Sequence, residues 1–281
     1  MSNNKKFIDL HIHTNMSDGS YSPEEIVLLA KQNGISAIAI TDHDTFEGVE
    51  DAMYYGAKYG IEVIAGVEIG IDFSYNFGVH GLAYFFDNRF LQLQEWFFNL
   101  RNYNVNSFID SISRKVIEIG IPFSNKDFMK FSGNKYINIY CVFDYISTIS
   151  DYTSAFEVEK ELFTFGKPCF IEGLNIISEI IRIVKDCGGK LFLSHPFKYG
   201  LEKNDAIELV KTAKLRGFDG IEVYNGESSL EQTKILENLS KELKFLITGG
   251  SDFHGENKPN VKIGIVNNKN LSYEILEKIR N

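Results

Sequence analysis

Short apolar runs bounded by glycine and polar residues recur in the first and last thirds of the chain. They predict strands at residues 7–12, 36–41, 62–69, 79–86, 190–194, 220–224 and 245–248, with a weaker candidate at 261–266. Most of the gaps between them carry a helical pattern. The clearest begins with Ser22 as N-cap, continues with Pro23 in the first turn and stops at Gly34. Strands and helices that alternate in steps of roughly 30 residues predict an α/β fold with a mainly parallel sheet.

The alternation stops between residues 88 and 170, where the pattern is helical and rich in Phe, Tyr, Ile and Asn. Linkers rich in Pro, Gly and Ser do not mark the ends of this segment, so we expect it to pack against the rest of the chain. The sequence therefore predicts a main domain formed by residues 1–87 and 171–281, with residues 88–170 as a helical insertion that caps it.

Composition excludes several classes of protein. The chain has 281 residues with 44% hydrophobic and 24% charged residues, and no apolar run approaches the roughly 20 residues that span a bilayer. The start of the chain lacks the apolar segment of a signal peptide, so we expect a cytoplasmic protein without a membrane partner. A net charge of −9 argues against long nucleic acid as a partner. Three widely spaced cysteines indicate neither a disulfide framework nor a thiolate zinc site.

All six histidines of the chain lie within or beside a predicted strand: His11, His13, His43, His80, His195 and His254. In parallel α/β folds the carboxyl ends of the strands form one rim, where sites are built. We expect the five histidines other than His80 to meet there. Three carboxylates accompany them, because Asp18 follows the first strand, Glu68 ends the third, and Asp252 precedes His254 by two residues.

This combination is typical of a metal site. His11 and His13 lie on the same side of an extended segment, because side chains alternate with a period of two. Imidazole together with carboxylate suits Zn, Mn or Fe(II). Each residue alone also has an ordinary explanation, such as a turn residue for Asp18 or a hydrogen-bonded core histidine for His80. Surface histidines would scatter over helices and loops, however, and these do not, so the set as a whole predicts a metal centre.

The motifs "DLHIHTNMSDGSYSPEE", "AIAITDHDTFEG", "IAGVEI", "VHGLAYF", "LSHP", "GIEVYN" and "GGSDFHGENKP" resemble, in order, those of the PHP (polymerase and histidinol phosphatase) superfamily. The resemblance covers residues 7–87 and 171–266, and it is strongest to the TrpH-like metal-dependent phosphoesterases. It implies a distorted, seven-stranded, TIM-like (β/α) barrel with a trinuclear metal site.

The resemblance also implies a set of ligands for three divalent metal ions, which could be Mn, Zn or Fe. One ion would be held by His11, His13, Glu68 and Asp252, a second by Glu68, His80 and His195, and the third by Asp18, His43 and His254. A hydroxide that bridges two of the ions would attack the phosphoryl group, so no side-chain nucleophile is required. Asp42, Asp44 and a metal-bound water are the alternatives for the proton donor.

The implied activity is hydrolysis of a small phosphorylated metabolite. A nucleotide is the expected substrate, either a nucleoside 3',5'-bisphosphate or a short oligonucleotide cleaved in the 5'-3' direction. Candidate phosphate contacts are Arg101, Arg114, Lys135 and Lys258, although the arginine pattern usual in the insertion is thinned here and Lys135 could equally be a solvated lysine. The alternatives are a phosphatase of the histidinol-phosphate type and a metal-binding module with a regulatory role and no catalysis.

Overall fold

The computed structural model describes residues 5–74, 77–133, 139–152, 158 and 175–281. Within these ranges the strands are β1 Phe7–Ile12, β2 Ile35–Ile40, β3 Glu62–Ser74, β4 Phe77–Phe85, β5 Asn175–Ile176, β6 Lys190–Leu193, β7 Gly220–Asn225, β8 Leu246–Gly250 and β9 Leu271–Ser272. The helices are α1 Pro23–Gln32, α2 Val49–Tyr59, α3 Leu91–Glu118, α4 Asn125–Ser132, α5 Ile139–Ile149, α6 Ile177–Asp186, α7 Lys203–Arg216, α8 Leu230–Glu242 and α9 Glu274–Arg280. Two short 3₁₀-helices span Asn88–Phe90 and Gly255–Asn257.

Seven of these strands form a nearly closed barrel. The strand order is β8-β7-β6-β4-β3-β2-β1-β9, and the two-residue β5 pairs with β3. β4 is antiparallel to both neighbours, whereas the other barrel strands pair in parallel. The chain that leaves β8 returns to the end of β1, where Ile12 and Phe253 form a parallel bridge and the His13 N–H donates to the Phe253 carbonyl at 2.9 Å. The predicted TIM-like barrel is therefore confirmed.

The seven stronger strand predictions all correspond to strands, but the prediction at 261–266 is wrong. There the Ile265 N–H donates to the Lys262 carbonyl, Gly264 adopts a φ of 73°, and in this stretch only Val266 joins a bridge, with Lys269. The turn is stabilised from the barrel, because the Gly264 N–H donates to Asp9 Oδ2 at 2.6 Å. An apolar run cannot reveal this contact, because the acceptor lies more than 250 residues away in sequence.

The barrel strands are apolar on both faces, as strands covered on both sides must be. In β2, Ile38 and Ile40 pack in the core that contains helices α1, α2, α6, α7 and α8. Ala37 and Ala39 alternate with them and pack in a second core, which includes Leu276 and Ile279 of α9. The helix predicted after Ser22 begins at Pro23, and its capping box pairs Ser22 with Glu25.

The described part of the predicted insertion is helical. Residues of α3, α4 and α5 share a buried cluster that includes Ile112, Val116, Phe128 and Phe143. The beginning of α3 instead belongs to the barrel core, where the Phe97 ring lies 5.5 Å from that of Phe46. The division into a main domain and a capping insertion remains a prediction. Within the described ranges, no helix is both long enough and apolar enough to cross a membrane.

Candidate metal centre

All nine predicted ligands meet at one rim of the barrel. β1, β2, β6 and β8 bring six of them at or just beyond their carboxyl ends: His11, His13, His43, His195, Asp252 and His254. Asp18 comes from the turn after β1, and Glu68 lies within β3 opposite His43. His80 reaches the same rim from the amino-terminal half of β4 because that strand runs antiparallel, with His80 opposite Gly70. The rim thus collects six histidines, one more than the strand-end argument predicts.

Glu68 lies at the middle of this cluster, with its two carboxylate oxygens facing different histidines. Oε2 lies 3.2 Å from His11 Nε2 and 3.1 Å from His13 Nε2. Oε1 lies 3.2 Å from His80 Nδ1 and 3.0 Å from His195 Nε2. Glu68 is 1% exposed, so its charge is screened from water by the histidines around it. A carboxylate in this position has the geometry to bridge two cations.

Two further carboxylates complete the cluster. Asp18 Oδ2 lies 3.2 Å from His254 Nε2 and 3.5 Å from His43 Nε2. Asp252 Oδ1 lies 3.5 Å from the Nε2 atoms of both His11 and His13. In the part of the chain that the structure describes, three groups have ligand atoms within 4.8 Å of one another: His11 with His13, Glu68 and Asp252; His13 with Asp18, His43 and His254; and His43 with Glu68 and His80.

These groups overlap the predicted ligand sets without matching them throughout. The first group has the same four members as the predicted first set. The second adds His13 to the predicted third set, since His13 Nδ1 lies 3.2 Å from Asp18 Oδ1. The third contains His43 where the resemblance implies His195, although His195 also contacts Glu68. The division of the ligands among individual ions therefore remains a proposal.

Two observations indicate that this set of side chains can bind divalent cations. Ligands bound about 2.1 Å from one ion stand roughly 3.0–3.4 Å apart at octahedral or tetrahedral angles, and the contacts around Glu68 and Asp18 fall near this range. Among the described residues, three buried imidazole nitrogens make no hydrogen bond: His13 Nε2, His80 Nδ1 and His195 Nδ1. Two of these nitrogens, His13 Nε2 and His80 Nδ1, lie 3.1 Å and 3.2 Å from Glu68 oxygens, whereas His195 faces Glu68 through its other nitrogen, Nε2. Buried polar atoms are normally satisfied, so two unpaired nitrogens beside a buried carboxylate favour a cation site.

The charged groups of this cluster strongly affect one another's pKa values. Burial raises the pKa of the Glu68 carboxyl, but the surrounding imidazoles, His11 first, hold this pKa well below its ordinary value. Burial lowers the pKa of His13, and the neighbouring Asp18 and Glu68 raise it to about 9. Burial prevails at His43 and lowers its pKa to about 3, and it also lowers the pKa of His254 to about 4. The Glu68 carboxylate thus keeps its charge, and a cation that binds at His13 would displace a proton from the ring.

Glu222 lies behind this cluster and orients two of its members. Its Oε1 lies 2.8 Å from His11 Nδ1, which directs the opposite ring nitrogen toward Glu68. Its Oε2 accepts from the backbone N–H of His195 at 2.8 Å and from the Asn225 amide at 3.2 Å. A carboxylate on the far nitrogen of a ligating histidine fixes the ring and increases its basicity. The signal in the sequence is Glu222 itself, an acidic residue in the middle of an apolar strand.

The two carboxylates proposed as proton donors differ in their surroundings. Asp42 is fully buried, and its oxygens accept from the Thr14 N–H and hydroxyl, both at 2.7 Å, and from the Ser17 hydroxyl at 2.6 Å. These contacts hold the turn that carries Asp18. Asp44 is less buried, has a φ of 49°, and accepts the Gly70 N–H at 3.1 Å. The contacts favour a structural role for Asp42.

The backbone is strained where two candidate ligands leave their strands. His195 and Asp252 have φ values of 23° and 60°, in a region that costs a residue with a side chain about 1–3 kcal/mol. Beside them, a Cβ on Gly250 would lie 2.3 Å from the His11 backbone nitrogen, so only glycine allows β8 to approach β1 this closely. Such strain is typical of functional sites, where the surrounding structure maintains it.

Two of the four candidate phosphate contacts, Arg114 and Lys258, have described side chains, and Lys258 is the one of these two that lies at the rim. Its Nζ lies 2.9 Å from Asp252 Oδ2. Arg114 is exposed on α3, and its Nε donates to the Asp110 carbonyl. Arg101 also belongs to α3, but its side chain and the whole of Lys135 lie outside the described parts of the chain. Sequence reasoning missed Lys198, whose Nζ lies 2.7 Å from the same Asp252 oxygen.

Comparison with known proteins gives relatives that align with nearly the whole chain. A 5'-3' exoribonuclease of Haemophilus influenzae is 28% identical over 251 residues, which cover 89% of this chain and 90% of the relative. A phosphoribosyl 1,2-cyclic phosphate 1,2-diphosphodiesterase of Eggerthella lenta is 27% identical, covering 88% and 94% respectively. A 3',5'-nucleoside bisphosphate phosphatase of Chromobacterium violaceum is 23% identical, covering 92% and 90%.

The fold and the family agree with these relatives. A solved structure from Bifidobacterium adolescentis, of a protein described as a metal-dependent phosphoesterase, matches with a TM-score of 0.78 and 24% identity, covering 98% of this chain and 95% of that chain. At this identity the likeness shows the shared fold. The family model for the PHP domain matches residues 9–186. The chain therefore belongs to the PHP domain family, and it is a metal-dependent phosphoester hydrolase.

Proposed function

We propose that this chain hydrolyses a phosphate ester of a small nucleotide, either a nucleoside 3',5'-bisphosphate or the 5' end of a short oligoribonucleotide. The observation that carries the proposal is the set of nine donors that consists of Glu68 and the eight residues around it, six imidazoles and three carboxylates in all at one rim. Relatives that act on a bisphosphate and on RNA ends support the substrate class.

The proposed cofactor is a trinuclear cluster of divalent cations, with Mn, Zn or Fe as the candidates. His11, His13, Glu68 and Asp252 would hold one ion, Glu68, His80 and His195 a second, and Asp18, His43 and His254 the third. When bound, such ions supply an activated water and offset the charge on a phosphoryl group. Three divalent ions against three carboxylates leave a local charge of about +3, which attracts phosphate to an otherwise acidic protein.

The residues of the chain have separate tasks in this proposal. Glu222 holds His11, and Asp42 holds the turn that presents Asp18, so the ligands are positioned before substrate arrives. Lys258 stands beside Asp252 with its side chain 20% exposed, where it can contact a phosphoryl oxygen. Asp44 is the better placed of the two carboxylates to protonate a leaving oxygen, because the oxygens of Asp42 already accept hydrogen bonds from Thr14 and Ser17.

A cytoplasmic location and the exclusion of long nucleic acid as a partner remain predictions from the sequence.

The proposal is tested by turnover of Mn²⁺-loaded protein on a substrate panel. The panel contains a nucleoside 3',5'-bisphosphate, 5'-phosphorylated oligoribonucleotides of graded length, a cyclic phosphate and histidinol phosphate. We expect release of inorganic phosphate or mononucleotide from the first two, and a fall of about 100-fold or more in kcat for His43→Ala. Tyr54→Phe, an exposed change on α2, is the control. Equal background rates for wild type and His43→Ala on every ester would contradict the proposal.

A further inference from the structure

Two lysines lie together at the edge of the candidate metal centre. The Lys198 backbone N–H donates to the His195 carbonyl, which places this lysine one turn beyond a candidate ligand. Lys258 follows the 3₁₀-helix Gly255–Asn257, shortly after His254. Their Nζ atoms lie 2.7 Å and 2.9 Å from the same oxygen, Asp252 Oδ2. Both ammonium groups therefore lie at the rim that carries the candidate ligands.

The Asp252 carboxylate lies between this lysine pair and the histidines. Its Oδ1 faces His11 at 3.5 Å and His254 Nδ1 at 3.4 Å, while Oδ2 faces the lysines. The exposed fraction rises from 2% for the Asp252 side chain to 20% for Lys258 and 27% for Lys198. An anion bound by the lysines would thus lie beside the metal centre and remain accessible from solvent.

Glu227, in the loop after β7, already fills this position. Its carboxylate forms ion pairs with Lys198 and, at 3.6 Å, with Lys258, and its side chain is 40% exposed. Its backbone is held by a hydrogen bond from its N–H to Asn225 Oδ1. The positive charges of the two lysines and the negative charges of the two carboxylates cancel. Asp252 is buried and cannot leave this position, so Glu227 is the carboxylate that another anion can replace.

We propose that Lys198 and Lys258 form a subsite for a terminal phosphate of the substrate, and that Glu227 occupies this subsite until the phosphate displaces it. The inference rests on the proposed function and assigns a further part of the same site. A phosphate monoester carries nearly two charges and three terminal oxygens, so it can replace one carboxylate on two ammonium groups. An internal phosphodiester, with one charge, has no such advantage over Glu227. The subsite therefore selects substrates that end in a phosphate monoester.

The test measures binding of inorganic phosphate to the Mn²⁺-loaded protein by calorimetry near pH 8, where phosphate is the dianion. We expect Glu227→Gln to bind phosphate about tenfold more tightly, and Lys198→Met about tenfold more weakly, as expected when one charge-assisted contact is gained or lost. In the Lys198→Met background, Glu227→Gln should bring a smaller gain, because only the longer pair of Glu227 with Lys258, at 3.6 Å, is left to remove. Lys198→Arg keeps the charge and should retain most of the affinity.

The matched control is Glu231→Gln, which breaks an exposed pair with Lys203 at 2.9 Å on α7 and α8 and should leave phosphate affinity unchanged. Phosphate binding in Glu227→Gln that is no tighter than in Glu231→Gln would overturn the subsite, as would unchanged binding in Lys198→Met. Tighter binding in Glu227→Gln without turnover of any ester would overturn the proposed function and leave the subsite standing. Turnover with equal phosphate affinity in all variants would overturn the subsite alone.

Discussion

Glu222 Oε1 lies 2.8 Å from His11 Nδ1, and neither side chain is exposed to solvent. The contact turns His11 Nε2 toward Glu68 and Asp252. Glu222 is not a proposed metal ligand, yet it fixes the orientation of the imidazole ring of one. Because Glu222 also accepts the His195 N–H, it connects the barrel strands on opposite sides of Glu68.

Glu222→Gln should therefore weaken Mn²⁺ binding by about 10- to 100-fold while preserving the fold, since the amide matches the carboxylate in size but lacks its charge. Calorimetric titration of the metal-free protein measures the effect. Glu237→Gln on α8, which alters a hydrogen bond from the hydroxyl of Tyr224 on β7, is the control. Equal metal affinity in both variants would show that Glu222 does not orient His11.

Asp18→Ala should divide the metal centre. It removes a carboxylate from the group that contains His43 and His254, but it leaves His11, Glu68 and Asp252 intact. We expect one ion fewer per chain after loading with Mn²⁺ and gel filtration, measured by elemental analysis. Because Asp18 also contacts His13, the remaining ions should bind somewhat more weakly. Complete loss of metal from Asp18→Ala would contradict the division.

Tyr199→Phe should lower the stability of the protein, because the Tyr199 hydroxyl holds the backbone next to His80 at the rim. The Tyr199 hydroxyl accepts the His80 backbone N–H at 2.7 Å and donates to the Ser194 carbonyl at 3.1 Å. Its removal takes a partner from two backbone groups, and leaving a buried group unpaired costs about 1–3 kcal/mol. Urea denaturation of the metal-free protein measures the free energy of unfolding, with the exposed Tyr54→Phe as the reference. A cost no larger than the reference would mean that water replaces the hydroxyl.

The contact between Glu62 of β3 and α9 should make stability depend on acid. Burial raises the pKa of Glu62, but hydrogen bonds from Tyr273 and Arg280 bring it below its ordinary value of 4.5. A carboxyl whose pKa is lower in the folded state stabilises the protein above that ordinary value, and this stabilisation is lost as pH falls through the folded value. The difference in Tm between wild type and Glu62→Gln should therefore narrow below about pH 4.5.

Thermal melts across this pH range measure the effect of Glu62. Glu208→Gln, which breaks an exposed pair with Lys211 on α7, controls for general acid destabilisation. A constant difference in Tm between wild type and Glu62→Gln from pH 7 to pH 3.5 would mean that the Glu62 carboxylate contributes no charge interaction to the stability of the fold.

The sequence by itself predicted seven barrel strands and the meeting of five histidines at one rim, and its family resemblance predicted the nine residues of the candidate metal centre. Apolar runs specify strands, turn and cap residues specify where helices begin, and a histidine such as His43 that follows a strand must lie near the rim of a parallel barrel. These are local rules, and they apply before the chain folds. The pattern failed at residues 261–266 because a distant carboxylate, Asp9, stabilises a turn there.

Only the tertiary structure decided how these residues act on one another. The antiparallel course of β4 brought His80 to the rim, and barrel closure placed Asp252 against His11. The association of Lys198 with Lys258 and Glu227 joins three separate loops, and no spacing in the sequence encodes it. Orientation, ionisation and pairing depend on distances of a few ångströms between segments far apart in the chain, and those distances exist only once the barrel is packed.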